Sequence, residues 1–154
     1  MLISILRQPD SVTGATEKNV YRFEERPNEC NVQYEYILEN RSAKIVIYPN
    51  EDPIKYIKLR FRGDFSGVDK IYGDDWARCS YAHPLTWQSI RPERCLPWFC
   101  YVSTGKKLYC YGVKTGADCF ASWYVDSKGI TLFLDLSNGS GGTFLKEPLT
   151  AFFC

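Results

Sequence analysis

A two-residue alternation of apolar and polar side chains runs through most of this 154-residue chain. It is clearest in residues 57–62, where three apolar residues alternate with three basic ones, and it recurs in residues 32–39 and 130–136. Successive side chains of an extended strand point to opposite faces, so each segment predicts a strand with one buried face and one face in water. The basic residues expected on the wet face are Lys58, Arg60 and Arg62.

Other segments are rich in β-branched and aromatic residues, which predicts further strands. They are residues 2–6, 43–48, 98–102, 108–113, 119–125 and 149–153. Turn-forming residues separate them, and short hairpin connections are predicted at 103–105 and 126–129. The chain has no amphipathic helical stripe of useful length, and only a single turn is predicted over 85–90. The pattern predicts an all-β fold, namely an antiparallel β-sandwich of two packed sheets with very little helix.

The length and the charge of the chain exclude several classes of protein. It fits one domain and is shorter than the roughly 250 residues of a (β/α)8 barrel. Nineteen basic and 18 acidic residues, without a block of like charge, argue against nucleic acid as a partner. No apolar run approaches the roughly 20 residues of a membrane-spanning helix, so no membrane partner is expected. Residues 1–7 lack the pattern of a signal peptide, which predicts a cytoplasmic location.

The chain has seven cysteines, and no two of them have the spacing of a zinc knuckle. We therefore predict reduced thiols that bind no metal, and no cofactor is expected. Cys100 and Cys110 lie at similar distances from the turn at Gly105, so a weak redox pair is an alternative to simple packing. The single histidine, His83, has no nucleophile signature around it, so no hydrolase triad is predicted.

The densest cluster of functional side chains lies at 74–78, within the least regular stretch of the chain, residues 63–97. It offers carboxylate acceptors for hydroxyl groups, a flat ring that can cover a sugar face and a planar fork of donors. Adjacent carboxylates on an extended segment point apart, so they are poorly placed to flank one glycosidic bond, and no catalytic residue is assigned. The alternative is a loop that its Trp seals onto the sandwich. The candidate substrate-binding residues are Asp74, Asp75, Trp76 and Arg78.

A connected series of short motifs begins after residue 72. They are GDDWAR at 73–78, LTW at 85–87, RPERCLPWF at 91–99, YGVKTG at 111–116, GITLFLD at 129–135 and NG at 138–139. In this order and spacing they resemble the amino-terminal β-domain of α-galactosidase-like enzymes in or near glycoside hydrolase family 36. The resemblance covers residues 70–154, and the first 70 residues are similar only in their strand-rich character.

The resemblance implies that a (β/α)8 catalytic barrel follows such a sandwich and holds both catalytic aspartates. No catalytic residue is carried onto this chain, which is therefore expected to be inactive alone. The resemblance also implies that the sandwich packs on the barrel, and that a loop of the sandwich reaches the rim of the active site. Residues 74–78 are our candidate for that loop, with Trp76 facing the substrate entrance.

Two other functions stay open at this point. A free-standing carbohydrate-binding module should show a solvent-exposed aromatic platform, whereas a structural sandwich for protein–protein assembly should show a large apolar patch. The expected partners are the downstream barrel of the same polypeptide and a galactose-containing oligosaccharide. A homo-oligomer is a further alternative.

Overall fold

The computed structural model describes residues 4–16, 29–74, 84–90, 94–114, 119–136 and 144–154. All regular structure in these residues is β, and none of it is helix, which confirms the predicted all-β fold. The strands are β1 (Ser11–Ala15), β2 (Glu29–Asn31), β3 (Gln33–Leu38), β4 (Ala43–Tyr48), β5 (Tyr56–Arg62), β6 (Lys70–Gly73), β7 (Leu96–Pro97), β8 (Phe99–Ser103), β9 (Leu108–Gly112), β10 (Phe120–Asp126), β11 (Gly129–Asp135) and β12 (Leu149–Phe153). No helix of the described part is long and apolar enough to cross a membrane.

The strands form one antiparallel sheet of six strands and two antiparallel sheets of three. The large sheet has the order β2-β1-β5-β11-β10-β7, and the small sheets have the orders β12-β4-β3 and β6-β8-β9. Backbone hydrogen bonds join the small sheets edge to edge. The Gly112 N–H donates to the Cys154 carbonyl (2.8 Å), and the Cys154 N–H donates back to Gly112 (3.0 Å). We call the joined pair the second layer; together with the large sheet it makes a two-layer sandwich.

Aromatic rings from both layers meet in the core between them. The Trp123 ring of β10 lies 6.4 Å from the Phe153 ring of β12 and 6.0 Å from the Tyr111 ring of β9. The Phe61 ring of β5 also contacts Phe153, at 6.1 Å. Truncation of a buried aromatic side chain typically costs about 3–5 kcal/mol, so these contacts contribute strongly to holding the layers together.

The prediction that Lys58 and Arg60 lie in water is wrong. Both are buried, because the second face of the large sheet is covered as well. Lys58 donates to Glu29 Oε1. Arg60 donates to both carboxylate oxygens of Asp126 (2.7 and 3.0 Å) and to the Thr131 hydroxyl (3.1 Å). Each buried cation therefore has an acceptor, as the cost of burying a charge requires.

The described part of the strand predicted at residues 2–6 is not a strand. Residues 5–7 form a bend, and the Leu6 N–H donates to Ser4 Oγ (3.1 Å). Ile5 is nevertheless buried, and its carbonyl accepts a hydrogen bond from the Tyr36 hydroxyl (2.9 Å). The segment therefore does not join a sheet, but the Ile5 side chain packs on the core and the Ile5 carbonyl holds the segment to Tyr36.

The described residues of the stretch predicted as least regular, 63–97, include two strands, β6 and β7. The backbones of Ile71 and Leu85 exchange two hydrogen bonds of 2.8 Å, which tie residue 85 to β6. The single turn predicted at 85–90 is present. In it, the amides of Ser89 and Ile90 donate to the Thr86 carbonyl (3.0 and 2.7 Å). Part of this stretch is therefore ordered by pairing that is too short to give a sequence period.

The hairpin between β10 and β11 requires glycine at residue 129. Its φ is +147°, and a Cβ there would lie 2.2 Å from the Phe61 carbonyl oxygen. That oxygen belongs to the backbone of β5, which pairs with β11 and cannot move away cheaply. The glycine therefore permits both the turn and the close approach of the neighbouring strand.

We expect Gly129→Ala to lower the free energy of unfolding by roughly 2–3 kcal/mol, since it adds backbone strain and a clash. Urea unfolding followed by tryptophan fluorescence measures the change. Gly67→Ala is the matched control, because a Cβ at residue 67 meets nothing within 4 Å. Equal stabilities of the two variants would show that the close approach at residue 129 is wrong.

Candidate functional site

The structure places one of the four predicted site residues. Asp74 directly follows β6 and is half-buried. Asp75, Trp76 and Arg78 lie outside the described residues, and so does His83. Because Asp74 directly follows β6, the candidate loop at 74–78 begins at the end of that strand. The strand β6 belongs to the sheet β6-β8-β9 of the second layer.

Large side chains cover the outer face of the sheet β6-β8-β9. Exposed fractions are 39% for Phe99, 36% for Tyr101 and 62% for Leu108, and the neighbouring Tyr72 is half-buried. A groove of about 330 Å³ runs between Tyr72, Tyr101, Ser103 and Leu108. We call Tyr72, Phe99, Tyr101 and Leu108 the aromatic platform.

Strand register determines the composition of the platform. Tyr72 of β6 is directly opposite Tyr101 of β8, so the two side chains share a face. Cys100 and Val102, which alternate with the platform residues, are fully buried on the opposite face. The rings of Phe99 and Tyr101 are 5.6 Å apart in an edge-to-face arrangement, which is a favourable geometry for an aromatic pair.

Trp98 connects the large sheet to the platform. It lies between β7, which belongs to the large sheet, and β8, which belongs to the second layer. Its φ is +63°, a left-handed conformation that is rare for a bulky residue. The Trp98 N–H donates to the Ala121 carbonyl (3.1 Å), and the Trp98 carbonyl accepts from the Val113 N–H (2.9 Å). The chain thus changes layers within one residue.

Several motifs of the resemblance meet around this corner. The Trp98 carbonyl also accepts a hydrogen bond from the Trp123 indole (3.2 Å), and the Trp98 ring packs on Phe120 at 5.5 Å. The segment at 96–99 thereby contacts the strand that pairs with β11, and it contacts residue 113 of the YGVKTG motif. Leu85 of the LTW motif bridges to β6. Backbone pairing and ring contacts therefore connect the described parts of these motifs across both layers around Trp98.

The described cysteines do not form a redox pair on β8 and β9. Cys100 is opposite Tyr111, and Cys110 is opposite Tyr101, so the two cysteines point to opposite faces. Burial raises the pKa of the Cys100 thiol well above its usual value, and partial desolvation also raises the pKa of the thiol of Cys110, a residue that is exposed. Among the described residues, no group of three or more His, Cys, Asp or Glu side chains could hold a metal ion.

Comparison with known proteins identifies no relative. Searches of protein-family models, of curated proteins and of solved structures each give no match for this chain. A function can therefore only be proposed, and the geometry of the site is the observation from which we propose it.

We expect Trp98→Gly to be more stable than Trp98→Ala by about 1 kcal/mol, because only glycine adopts the left-handed conformation without strain. Both variants lose the ring packing, so their difference isolates the backbone. Urea denaturation of each variant measures it. At Tyr101, an exposed position inside β8, the same two substitutions should rank in the opposite order. Greater stability of the alanine variant at residue 98 would contradict the left-handed corner.

We expect an aromatic disulfide reagent to react with the exposed Cys110 and Cys154 in the native protein, Cys110 more slowly than a free thiol because its pKa is raised. Cys100 should react only on unfolding, because it is buried and because the thiolate is the reactive form. Cys100→Ser should remove one unfolding-dependent thiol. In denaturant without reductant, close to all seven cysteines should titrate. One or no free thiol would reveal a disulfide framework and would contradict the predicted reducing compartment.

Proposed function

We propose that this chain is the non-catalytic β-sandwich domain of an α-galactosidase-like glycoside hydrolase, which packs on the catalytic barrel of the same polypeptide. The aromatic platform, taken as an interaction surface, is the observation that supports the proposal, although it is also the feature expected of a carbohydrate-binding module. Clustered exposed apolar side chains mark interaction surfaces, and aromatic residues are enriched at the centre of such interfaces. Three of the platform side chains are more than a third exposed in the chain by itself.

The position of the platform supports a role next to an active site. Tyr72 is two residues before Asp74, a distance of about 7 Å along an extended chain. A partner that covers the platform would therefore also border the loop at 74–78. In this proposal, Trp76 covers the apolar face of a galactose-containing oligosaccharide, while Asp75 and Arg78 hold its hydroxyl groups. The loop contributes to substrate binding, and the barrel supplies both catalytic carboxylates.

A carbohydrate-binding module is the second candidate, and the chemistry of the platform favours it. The groove combines aromatic rings with the hydroxyls of Tyr72, Tyr101 and Ser103. Rings cover the apolar face of a sugar, and hydroxyl groups can hydrogen-bond its rim. In this case the platform itself would bind the oligosaccharide, and no barrel would be needed. The cytoplasmic location stays a prediction under either function.

The reading frame downstream of codon 154 provides the first test. The proposal expects it to encode a barrel of roughly 250 residues. Nuclear magnetic resonance of the labelled chain, titrated with that barrel, should then shift the signals of β6, β8 and β9. Tyr101→Ser together with Leu108→Ser should weaken barrel binding by about tenfold or more, as expected for central interface residues. Ile37→Ser, at a 42%-exposed position on β3, should leave binding unchanged.

Other outcomes would contradict the proposal. A stop codon after Cys154 without a partner gene would remove the barrel, and hydrolysis of an aryl α-galactoside by the purified chain would show that it is itself catalytic. Raffinose shifts at Tyr72 and Tyr101 in the chain alone would favour the binding module. Self-association that Leu108→Ser abolishes would favour a structural assembly role.

A further inference from the structure

Two exposed cysteines lie close together where the two small sheets join. The backbones of Gly112, at the end of β9, and Cys154, which follows β12, exchange two hydrogen bonds, so these residues are directly opposite each other. Cys110 is two residues before Gly112 on β9, and residues two apart in a strand point to the same face. Cys110 and Cys154 are therefore diagonal neighbours on one face of the second layer. Both are exposed free thiols, and we call them the cysteine pair.

The surface beside the cysteine pair is open because residue 112 is a glycine. A Cβ at residue 112 would meet none of the described atoms within 4 Å. Phe99 of β8 is directly opposite Gly112 on the other side, and its side chain is 39% exposed. The Gly112 backbone therefore forms the floor of a notch that Cys110, Cys154 and Phe99 border. A small ion can reach both thiols from this notch.

The diagonal spacing of the cysteine pair favours a bridging ion over a direct sulfur–sulfur bond. Diagonal neighbours in an antiparallel sheet have Cα atoms about 7–8 Å apart. Two cysteines with Cα atoms more than about 7 Å apart cannot form a disulfide unless the backbone moves. A metal ion between the sulfurs adds two metal–sulfur bonds, each about 2.3 Å long in the case of zinc. An ion can therefore span a gap that a disulfide cannot.

The electrostatics of Cys110 agree with this proximity. The pKa of the Cys110 thiol is raised, first by partial desolvation and then by the negative charge of the neighbouring Cys154 thiolate. A hydrogen bond with the Tyr101 hydroxyl, directly opposite on β8, lowers the same pKa. A cation between two thiolates replaces their mutual repulsion with attraction to both. Metal binding therefore relieves the repulsion within the pair.

The number of available ligands selects the metal. Thiolate ligands favour soft ions, among them Cu(I) and zinc. Structural zinc sites almost always have four protein ligands, whereas Cu(I) forms stable linear complexes with two thiolates. In the part of the chain that the structure describes, the cysteine pair belongs to no group of three or more potential metal ligands. Two thiolates alone therefore suit Cu(I) better than zinc.

Two lysines supply positive charge next to the cysteine pair. The ammonium groups of Lys44 and Lys114 lie 5.7 and 5.4 Å from the centre of the Phe152 ring. Phe152 is two residues before Cys154 on β12, so its side chain shares the face of the cysteine pair. A Cu(I) ion bound by two thiolates carries one negative charge in total. The neighbouring ammonium groups stabilise that charge.

We infer that Cys110 and Cys154 bind one Cu(I) ion as a two-coordinate dithiolate site beside Gly112. Each thiol releases its proton to water as a copper–sulfur bond forms, and copper keeps its oxidation state. The prediction that the cysteines bind no metal used spacing along the chain, which cannot reveal a pair brought together by the pairing of residues 112 and 154. The inference does not depend on the proposed function, because the site needs neither a barrel nor a sugar.

Anaerobic titration of the reduced full chain with Cu(I), in competition with the chelator bicinchoninate, tests this inference. We expect one Cu(I) ion per chain to be held most tightly. Cys110→Ser and Cys154→Ser should each weaken this binding by about a hundredfold or more, because the second thiolate of a pair binds as an intramolecular ligand. Their melting temperatures without metal should be unchanged, since both residues are exposed. Cys30→Ser, on β2, is the matched control and should bind Cu(I) normally.

X-ray absorption of the copper-loaded chain should show two sulfur ligands and no third ligand. The inference is overturned if either serine variant at residue 110 or 154 binds Cu(I) as tightly as the unmodified chain. It is equally overturned if Cys30→Ser weakens binding to the same extent, which would show that copper binds the thiols indiscriminately. A third ligand in the absorption spectrum, or zinc retained in preference to Cu(I), would also overturn it.

Discussion

The indole of Trp123 connects more parts of this protein than any other interaction described above. From its position on β10, in the large sheet, its ring contacts Tyr111 on β9 and Phe153 on β12, which are the two strands where the small sheets join. Its N–H donates to the Trp98 carbonyl at the corner between the layers. One fully buried side chain therefore fixes the layer separation, the junction of the small sheets and the corner that leads to the platform.

Both faces of the large sheet are buried, which limits where a partner can bind. Its inner face is filled by the aromatic core, and its outer face carries buried charged pairs such as Arg60 with Asp126. In the described residues, exposed large apolar side chains lie mainly on the second layer, at the aromatic platform and on the edge strand β3. Because the charged groups on the outer face of the large sheet already pair with one another, a partner buries more exposed apolar surface by covering the platform.

Period-two patterning predicted the fold class correctly because most strands have a continuous buried face. It missed β1, since Ser11, Thr13 and Gly14 have the composition of a turn, and that strand is stabilised by its neighbours β2 and β5. It misplaced Lys58 because a pattern of alternation cannot show that both faces of a sheet are covered. Edge position matters too: Leu38 shares a face with the buried Ala43 but is 53% exposed on the edge strand β3.

The aromatic platform and the buried charged pairs differ in how far a sequence can reveal them. Phe99 and Tyr101 alternate with buried residues, so their shared face was predictable, although its exposure depends on the layer order. The contact between Glu29 and Lys58 was not predictable, because the two residues are 29 positions apart and come together only when β2 and β5 both pair with β1. That pairing fills the outer face of the large sheet with polar groups, and most of them find partners within the sheet.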